Sequence, residues 1–534
     1  MPVDSCLQSE KDAPESWPPV FRFVARNTNL NHTPPSSVHP AVPERRSVVN
    51  SFFFQGCATF STYAVSLALM PLVLKNAGAS VYGSFVLWSS VINLGLTLLT
   101  LGAGLKARRA LPSLHLPADQ QKVFGYSASF QVLTYAFAAL VLIIAGSAVK
   151  DMLFPGDDRI NATTIIALVA SVYLNNLSDD YFRYTHRIRI ISIVSILRAA
   201  GYPALVMLHV LLGGTLSVNT LLLCQAASYG GFSLWLWLRI AREFPLRFQL
   251  ANVRYHLEDI RYGFPLIAAI LVENMLAVSD RYILSRYLST AAVGIYASAT
   301  ALGSTLLIFP KICSSILCPV MASAVDAEDQ PHAEQLLHKT LNVFLALGLP
   351  FIAGAAFLAE PLLSLLATPE IGFAGRWVVP LTAVASLVYG WNYIIFTALF
   401  VKMQTGLWLR ANALAVSLSV TLNLVLLYYF RMLEVASLTS IVSYACALMY
   451  IHRSHVKSWR FRLDLPYLLR ILVGVAVMSA FLACGRLVLD SSCSMFLVVA
   501  LLLPGSVLVY TGCIVAMGIF DAEDLAKLRR GLLK

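Results

Sequence analysis

About fourteen apolar runs, each long enough to cross a bilayer, constrain this chain more than any other feature of its sequence. A membrane-spanning helix needs about 20 consecutive, mostly apolar residues. Short breaks rich in Gly, Pro, Ser or charged residues separate the runs. The sequence therefore predicts an all-α polytopic integral membrane protein. The predicted spans are 48–74, 81–103, 123–149, 160–182, 189–212, 217–238, 263–287, 290–321, 340–359, 374–402, 410–430, 433–452, 466–489 and 494–517.

Composition supports this fold class. The chain is 58% hydrophobic and 13% charged, with a mean hydropathy of +0.72, whereas soluble globular proteins carry about 25% charged residues. The net charge of +11 suggests a nucleic-acid partner only in a soluble protein. Because the Lys and Arg residues lie mostly between the apolar runs, membrane topology explains the charge and no nucleic-acid partner is expected.

The basic residues also predict the orientation of the chain. With the N-terminus inside, the stretches "GLKARRALP", "HRSHVKSWRFRL" and "LAKLRRGLLK" all fall on one side of the membrane. Loops rich in Lys and Arg stay in the cytoplasm, so both termini are predicted to be cytoplasmic. Residues 1–47, rich in Pro, Ser and Asn, read as a disordered N-terminal tail, and 518–534 as a C-terminal tail.

The chain contains an internal repeat. Aligning Gly83 with Gly294 sets "SVYGSF" over "AAVGIY", an offset of about 211 residues that contains six predicted spans. Six is even, so both halves enter the membrane in the same sense and form a parallel pseudo-twofold repeat about the membrane normal. The predicted order is a six-helix lobe, a basic cytoplasmic linker, a second six-helix lobe and an extra helix pair, at 48–238, 239–262, 263–452 and 453–517.

The motifs resemble a known family. The stretches "MPLVLKNAGASVYGSFVLWSSVINLGLTLLTLGAG", "DRYILSRYLSTAAVGIYASATAL", "SSILCPVMASAVDAED" and "LAVSLSVTLNLVLLYYF" resemble the polysaccharide-transporter, or O-antigen flippase, branch of the multidrug/oligosaccharidyl-lipid/polysaccharide (MOP) flippase superfamily. The chain departs from that pattern at "FRMLEVAS", where the family commonly has a Gly-rich turn. Spans 13 and 14 are an addition to the usual twelve, as in the lipid II flippases.

The resemblance implies a fold and a cargo. It implies two lobes around a central cavity that opens alternately to either face of a bacterial cytoplasmic (inner) membrane. The implied cargo is an oligosaccharide on an undecaprenyl diphosphate carrier, for O-antigen or exopolysaccharide biosynthesis. Membrane lipids, a polysaccharide polymerase and glycosyltransferases are the implied partners.

Four polar residues in the seventh predicted span are candidates for the cavity. Glu273 and Asp280 share one helix face, and Asn274 and Arg281 lie on the adjacent strip. Ionisable residues inside the membrane are costly and are functional candidates by default. Glu273 or Asp280 is the candidate for coupling transport to a proton or sodium gradient. Asp280 and Arg281 also allow a simpler interpretation, as snorkelling side chains or a mutual surface pair near the outer interface.

Further candidates lie in three other spans. Arg198, near the midplane, has the planar fork that binds a diphosphate, and we expect it to face the central cavity with Glu273. Lys311 follows the Pro310 kink and also suits phosphate. Asn176 and Asp180 begin a polar face that Arg183 and Arg187 continue. The alternatives are Arg198 bound to backbone carbonyls, a snorkelling Lys311, and a solvated helix end.

The sequence leaves two rival functions. One is a cation-coupled exporter of drugs or small amphiphiles with the same fold. The other is an integral-membrane glycosyltransferase or O-antigen ligase, which is disfavoured because the first outer loop, "KNAGAS", has no acidic residue and no outer loop is long. No cofactor motif, catalytic set or metal-ligand spacing is apparent, so a transporter rather than an enzyme is expected.

The topology is testable with a reporter fused after Gly518. The distribution of Lys and Arg predicts that this position faces the cytoplasm. A reporter that is active only in the cytoplasm should therefore be active, and one that is active only outside should be silent. Activity of the outer reporter there would require an odd number of crossings and contradict the proposed orientation.

Overall fold

The computed structural model describes residues 45–99, 117–153, 160–184, 187–243, 253–327, 329–402, 404–455, 465–489 and 494–518. Those residues form helices joined by short turns. The helices are α1 (Arg45–Leu99), α2 (Pro117–Leu153), α3 (Ala162–Tyr184), α4 (Ile188–Leu211), α5 (Val218–Glu243), α6 (Val253–Tyr287), α7 (Thr290–Gly303), α8 (Ile308–Asp326), α9 (Gln330–Leu366), α10 (Pro369–Gly375), α11 (Val378–Val401), α12 (Thr405–Phe430), α13 (Leu433–His455), α14 (Leu465–Leu489) and α15 (Met495–Ala516), with a 3-10 turn at Ser304–Leu307.

The chain divides into two compact units, Met1–Asn50 and Ser51–Lys534. Residues 45–50 are the described part of the first unit, and they are helical. The predicted tails at 1–47 and 518–534 lie outside the described residues, apart from 45–47 and 518. The features below belong to the second unit.

The helices identify a multi-pass membrane protein. Within the described residues, 11 helices are long and apolar enough to cross a membrane. One of them, Phe60–Leu98, contains the break at Gly78, where φ is 80° and ψ is 173°. Two helices that overlap predicted spans, α3 and α6, are not among the 11, and both carry acidic side chains. Each predicted span overlaps a helix, and the number of crossings stays a prediction.

The helix order repeats in the two halves. Gly78 separates the two arms of α1, and Ser289, at the equivalent position of the repeat, separates α6 from α7. Glycine adopts the unusual backbone angles at Gly78 without strain, whereas the Ser289 side chain accepts a hydrogen bond from the Ala292 amide and caps α7. In the first half α2 packs on α3, and α5 on both α3 and α4. In the second half α9 packs on α11, and α13 on both α11 and α12.

The repeat-related glycines lie against each other across the two halves. A Cβ on Gly83 would lie 1.9 Å from the carbonyl oxygen of Thr290, and one on Gly294 would lie 2.0 Å from that of Ala79. Ala79 and Thr290 are themselves equivalent in the repeat, so the contact has pseudo-twofold symmetry. The hydroxyl oxygens of Ser80 and Thr290 lie 3.2 Å apart. We call this group of five residues the glycine contact.

The two C-terminal helices pack on α9. A buried apolar cluster joins Leu358 of α9 to α14 and α15. Two polar side chains bond to the α9 backbone: Tyr510 Oη donates to the carbonyl oxygen of Ala346 at 2.5 Å, and Arg486 Nη1 to that of Phe357 at 2.9 Å. The extra pair is therefore joined to the second half by both apolar and polar contacts.

Two local features add detail to the sequence interpretation. Most of the predicted linker at 239–262 is helical, because α5 continues to Glu243 and α6 begins at Val253. The end of α5 and the start of α6 are polar, and they extend these helices beyond their apolar spans. At the turn in "FRMLEVAS", Arg431 ends α12 in the left-handed conformation, with φ 48°. That conformation favours glycine, which explains why a Gly-rich turn suits this position.

The glycine contact predicts opposite effects for two alanine substitutions in α1. In Gly83→Ala the added methyl group meets the Thr290 carbonyl, and overpacking of this kind typically costs about 1–3 kcal/mol. Gly95 has no atom within 4 Å of its added Cβ, and alanine is favoured over glycine in a helix by about 1 kcal/mol. We expect the unfolding temperature of the detergent-purified protein to fall for Gly83→Ala and not for Gly95→Ala. Equal behaviour of the two variants would contradict the close approach.

Candidate functional site

A polar cavity of about 290 Å³ lies among the helices of the second half. Helices α6, α7, α8, α11 and α13 line it, together with the 3-10 turn at Ser304–Leu307 and one side chain of α1. Its charged or amide-bearing residues are Glu273, Asn274, Asp280, Arg281 and Lys311. Its other polar residues carry hydroxyl groups: Tyr63, Tyr296, Thr300, Ser304, Thr382, Ser386, Tyr389, Ser437, Ser440 and Tyr444.

Helix α6 supplies the polar face of the cavity. Glu273 and Asp280 are seven residues apart, so two turns of helix place them on one side. Asn274 and Arg281 follow them by one residue, and all four side chains line the cavity. Asn274 Nδ2 donates to Thr97 Oγ1 in the second arm of α1 at 3.2 Å.

Tyrosine hydroxyls hold both carboxylates. Tyr389 Oη donates to Glu273 Oε1 at 2.9 Å. Tyr296 Oη donates to Asp280 Oδ2 at 2.5 Å, and the other oxygen of Asp280 accepts from the Arg281 amide at 2.7 Å. Because hydrogen bonds from phenols are charge-assisted when they reach a carboxylate, these partners stabilise the acidic groups away from bulk water.

The two cations of the cavity differ in their partners. Lys311 Nζ donates to Tyr63 Oη at 2.6 Å and lies 5.4 Å from the centre of the same ring. Arg281 Nε is buried and has no hydrogen-bond partner in the described part of the chain. The guanidinium of Arg281 therefore has an unused donor, and its side chain lines the cavity.

The hydroxyl wall also keeps hydrogen-bonding capacity. Thr300, Ser304 and Ser440 donate to the backbone carbonyls three or four residues before them, at 3.1, 3.4 and 3.0 Å. A serine or threonine that donates in this way keeps acceptor lone pairs. The cavity thus offers hydroxyl oxygens, tyrosine rings and a guanidinium, which suit a polyhydroxylated ligand with an anionic group.

Comparison with known proteins gives a family-model match and a fold. The sequence model of a family described as "Polysaccharide biosynthesis protein" matches residues 116–370. The structure is similar to that of "Lipid II flippase MurJ, inward closed conformation", with a TM-score of 0.69, 13% identity, and coverage of 89% of this chain and 99% of that chain. The chain has the MOP flippase superfamily fold.

Multidrug transporters share the MOP fold with this chain. An inward-facing MATE family transporter matches with a TM-score of 0.58 and 14% identity, over 74% of this chain and 94% of its own. A mutant of the Vibrio cholerae MATE transporter VcmN matches with a TM-score of 0.55 and 12% identity, over 77% and 97%. No curated protein matches the sequence. At these identities the structural likeness concerns the fold alone.

Arg198 of this MOP-fold chain does not line the cavity with Glu273. Its Nη2 lies 3.1 Å from Asp179 Oδ1 in α3 and also donates to Ser195 Oγ at 3.0 Å. The residue is only 4% exposed. Its charge therefore has a partner within the first half, so the shared position with Glu273 expected from the sequence is not observed. The cavity cation next to the acidic residues is Arg281.

The polar face of α3 also lies outside the cavity. Asn176 Oδ1 accepts a hydrogen bond from Asn175 Nδ2 at 3.4 Å, and Asp180 is buried. The predicted continuation to Arg187 is wrong because α3 ends at Tyr184 and Arg187 is the N-cap of α4. The side chain of Arg183 lies outside the described residues.

Sequence reasoning missed the tyrosines of the cavity. Tyr296 and Tyr389 lie in apolar spans, where an aromatic residue ordinarily packs in the core or against lipid. The available signal was geometric: Tyr296 follows Asp280 by sixteen residues, across the short turn between α6 and α7, which places the end of α6 beside the start of α7. Tyr389 gives no such local signal.

The Asp179–Arg198 pair predicts a stability effect. Arg198→Ala removes one partner of the Asp179–Arg198 pair. Breaking a fully buried pair costs about 3–5 kcal/mol, and because the Asp179 side chain is 17% exposed, we expect a smaller loss. The double variant Asp179→Asn, Arg198→Gln removes both charges and should be less destabilised. Thermal unfolding and the yield of monodisperse purified protein measure the difference. Normal stability of Arg198→Ala would show that the pair is not structural.

Proposed function

We propose that this protein translocates a lipid-linked oligosaccharide, of the undecaprenyl diphosphate type, across a bacterial cytoplasmic membrane by alternating access. The observation that carries the proposal is the polar cavity among membrane-spanning helices, with the Arg281 guanidinium beside a wall of hydroxyl groups. The match to a polysaccharide biosynthesis family and the MOP fold support the same cargo class.

The physical need for such a cavity comes from the cargo. A sugar head group carries many hydroxyls, and each polar group that enters hydrocarbon without a partner costs several kcal/mol. The cavity replaces water with Ser, Thr and Tyr oxygens, while the polyprenyl tail stays in the lipid. Its volume of about 290 Å³ is at the lower end of ligand pockets, which span about 300–1,000 Å³. It therefore fits a part of the head group, and the whole head requires the lobes to separate.

The charged residues divide the work. Arg281 is suited to the diphosphate, because its planar fork binds phosphate oxygens in pairs and stays charged. Lys311 supplies a second positive charge. Glu273 and Asp280 are the candidates for coupling to a proton or sodium gradient, since both lie in the cavity and both are carboxylates. No covalent step is needed.

A second candidate function is the export of cationic drugs or small amphiphiles. The two carboxylates favour it, because they attract cations, and the MATE transporters share the fold over 94% and 97% of their own lengths. We favour the flippase because the matching family model is one of polysaccharide biosynthesis. The MurJ match also extends over 89% of this chain, against 74% and 77% for the MATE matches.

The proposal includes a setting. Both termini face the cytoplasm, and the cargo arrives at the inner leaflet from glycosyltransferases and leaves to a polysaccharide polymerase. Membrane lipids surround the lobes. If both termini faced the outside instead, the side of the cavity that loads cargo would face away from the cytoplasmic glycosyltransferases.

Deletion and complementation test the function. Deletion should leave the carrier-linked oligosaccharide on the inner leaflet and remove the surface polymer. Complementation with Arg281→Ala should export at least tenfold less than the parent chain, and Arg281→Lys should restore export in part, because a point charge replaces a fork. Arg286→Ala is the matched control, since Arg286 is an exposed residue in the last turn of the same helix. Normal surface polymer in the deletion strain, or in the Arg281→Ala strain, would contradict the proposal.

A further inference from the structure

Among the described residues, two sets of side-chain hydrogen bonds and close backbone contacts join the lobes, in addition to a buried apolar cluster that contains residues of both. We call these sets levels, and the first level is the glycine contact. It joins the start of the second arm of α1 to the start of α7. Both starts lie at the end of the molecule that the distribution of Lys and Arg assigns to the outside. Its members meet mainly through backbone and small side chains, and none of its five residues lines the cavity.

The second level joins α1 to α6 and α8. Tyr63 of α1 accepts a hydrogen bond from Lys311 of α8, and Thr97 accepts one from Asn274 of α6. At 1.5 Å per residue from the turns at Gly78 and Ser289, these groups lie about 20–30 Å along their helices from the glycine contact. They therefore hold the lobes together toward the opposite, basic end.

The close approach of helix α1 to helix α8 supports the contact between Tyr63 and Lys311. A Cβ on Gly56, two turns before Tyr63 on the same face of α1, would lie 3.9 Å from the side chain of Ile312. The α1 face that carries Gly56 and Tyr63 thus runs along the start of α8. The hydrogen bond of Lys311 is part of a helix-to-helix contact rather than a single long side chain reaching across solvent.

The second level differs from the first in one decisive respect. Tyr63, Asn274 and Lys311 all line the cavity. A ligand in the cavity can compete for these side chains, whereas the glycine contact lies outside the cavity. Occupancy of the cavity therefore acts on one end of the lobe interface and leaves the other end in place.

We propose that Lys311 and Tyr63 form a ligand-operated latch. An anionic group of the cargo, chemically a phosphate, takes the Lys311 ammonium from Tyr63 and frees the lobes at the basic end, while the glycine contact remains as the pivot. A bond between two ions is stronger than one between an ion and a phenol, and the flexible lysine stem lets the ammonium change partner. The identity of the cargo rests on the proposed function; the latch itself does not.

The latch is testable with a thiol reporter in the cavity. Ser386 lines the cavity and is buried, so Ser386→Cys should react slowly with a small water-soluble thiol reagent while the lobes are closed. Peptide mass spectrometry assigns labelling to position 386 and separates it from the native cysteines. Tyr63→Phe removes the acceptor of Lys311 and should raise the labelling rate at least threefold. Tyr444→Phe is the matched control, because Tyr444 lines the cavity from α13 and lies within the second lobe.

The ligand arm uses inorganic pyrophosphate. It should raise labelling in the parent reporter protein and add nothing in the Tyr63→Phe background. Lys311→Gln keeps a donor for Tyr63 and loses the charge, so its labelling should stay slow and insensitive to pyrophosphate. Sodium sulfate at equal ionic strength controls for screening. An unchanged rate in Tyr63→Phe, or an equal response of Lys311→Gln and parent, would overturn the latch.

A disulfide lock identifies the end that opens. The hydroxyl oxygens of Ser80 and Thr290 lie 3.2 Å apart, so Ser80→Cys with Thr290→Cys should cross-link the glycine contact. The pyrophosphate response should persist in the oxidised protein, and its loss would overturn the assignment of the opening to the basic end. The Tyr63→Phe arm needs no cargo. A chain with a working latch but no role in polymer export would therefore fail the deletion test alone.

Discussion

The structure depends on the cost of placing a polar group in hydrocarbon without a partner. For the backbone this cost selects helices, which satisfy their own amide and carbonyl groups within each crossing. For charged side chains it requires partners on neighbouring helices, and these partners join the helices. Asp179 ties α3 to α4 through Arg198, and Lys311 ties α8 to α1 through Tyr63. The hydrogen bonds and ion pairs that lower the cost of these charges in the membrane therefore also join helices. Some join helices within one lobe, and others join the two lobes.

The duplication gives two copies of one helix arrangement, and the charged side chains have different roles in the two copies. The arrangement is the same in its turns, at Gly78 and Ser289, and in its order of helix packing. In the first half, the buried Arg198 pairs with the part-buried Asp179. In the second half, α6 presents its charges to a cavity. The pseudo-twofold symmetry therefore describes the scaffold, and the polar site is asymmetric.

Sequence reasoning recovered the features that depend on local spacing. Apolar run length predicts the helices, and the seven-residue interval from Glu273 to Asp280 predicts one shared face, which follows from helix geometry alone. The Gly83–Gly294 alignment predicts the repeat. The position of the Arg198 side chain could not be predicted from local spacing, because its partner Asp179 lies on another helix. The rotation of α3 against α4 is set by the packing of the whole lobe. The end of α3 at Tyr184 was missed for a related reason. The residues on both sides of this end are polar, so no change from apolar to polar residues marks where the helix stops.

The balance of charge in the cavity has a consequence for energy coupling. With its four ionisable side chains charged, two carboxylates and two cations leave the empty cavity neutral. Binding of the proposed diphosphate cargo would then make the loaded cavity negative. In a cell whose interior is electrically negative, moving each such charge outward across the full membrane field is favourable by about 2.3 kcal/mol per 100 mV. The return of the neutral, empty cavity is not opposed by that field. In the proposed flippase cycle, the membrane voltage therefore acts on the loaded half and gives it a direction.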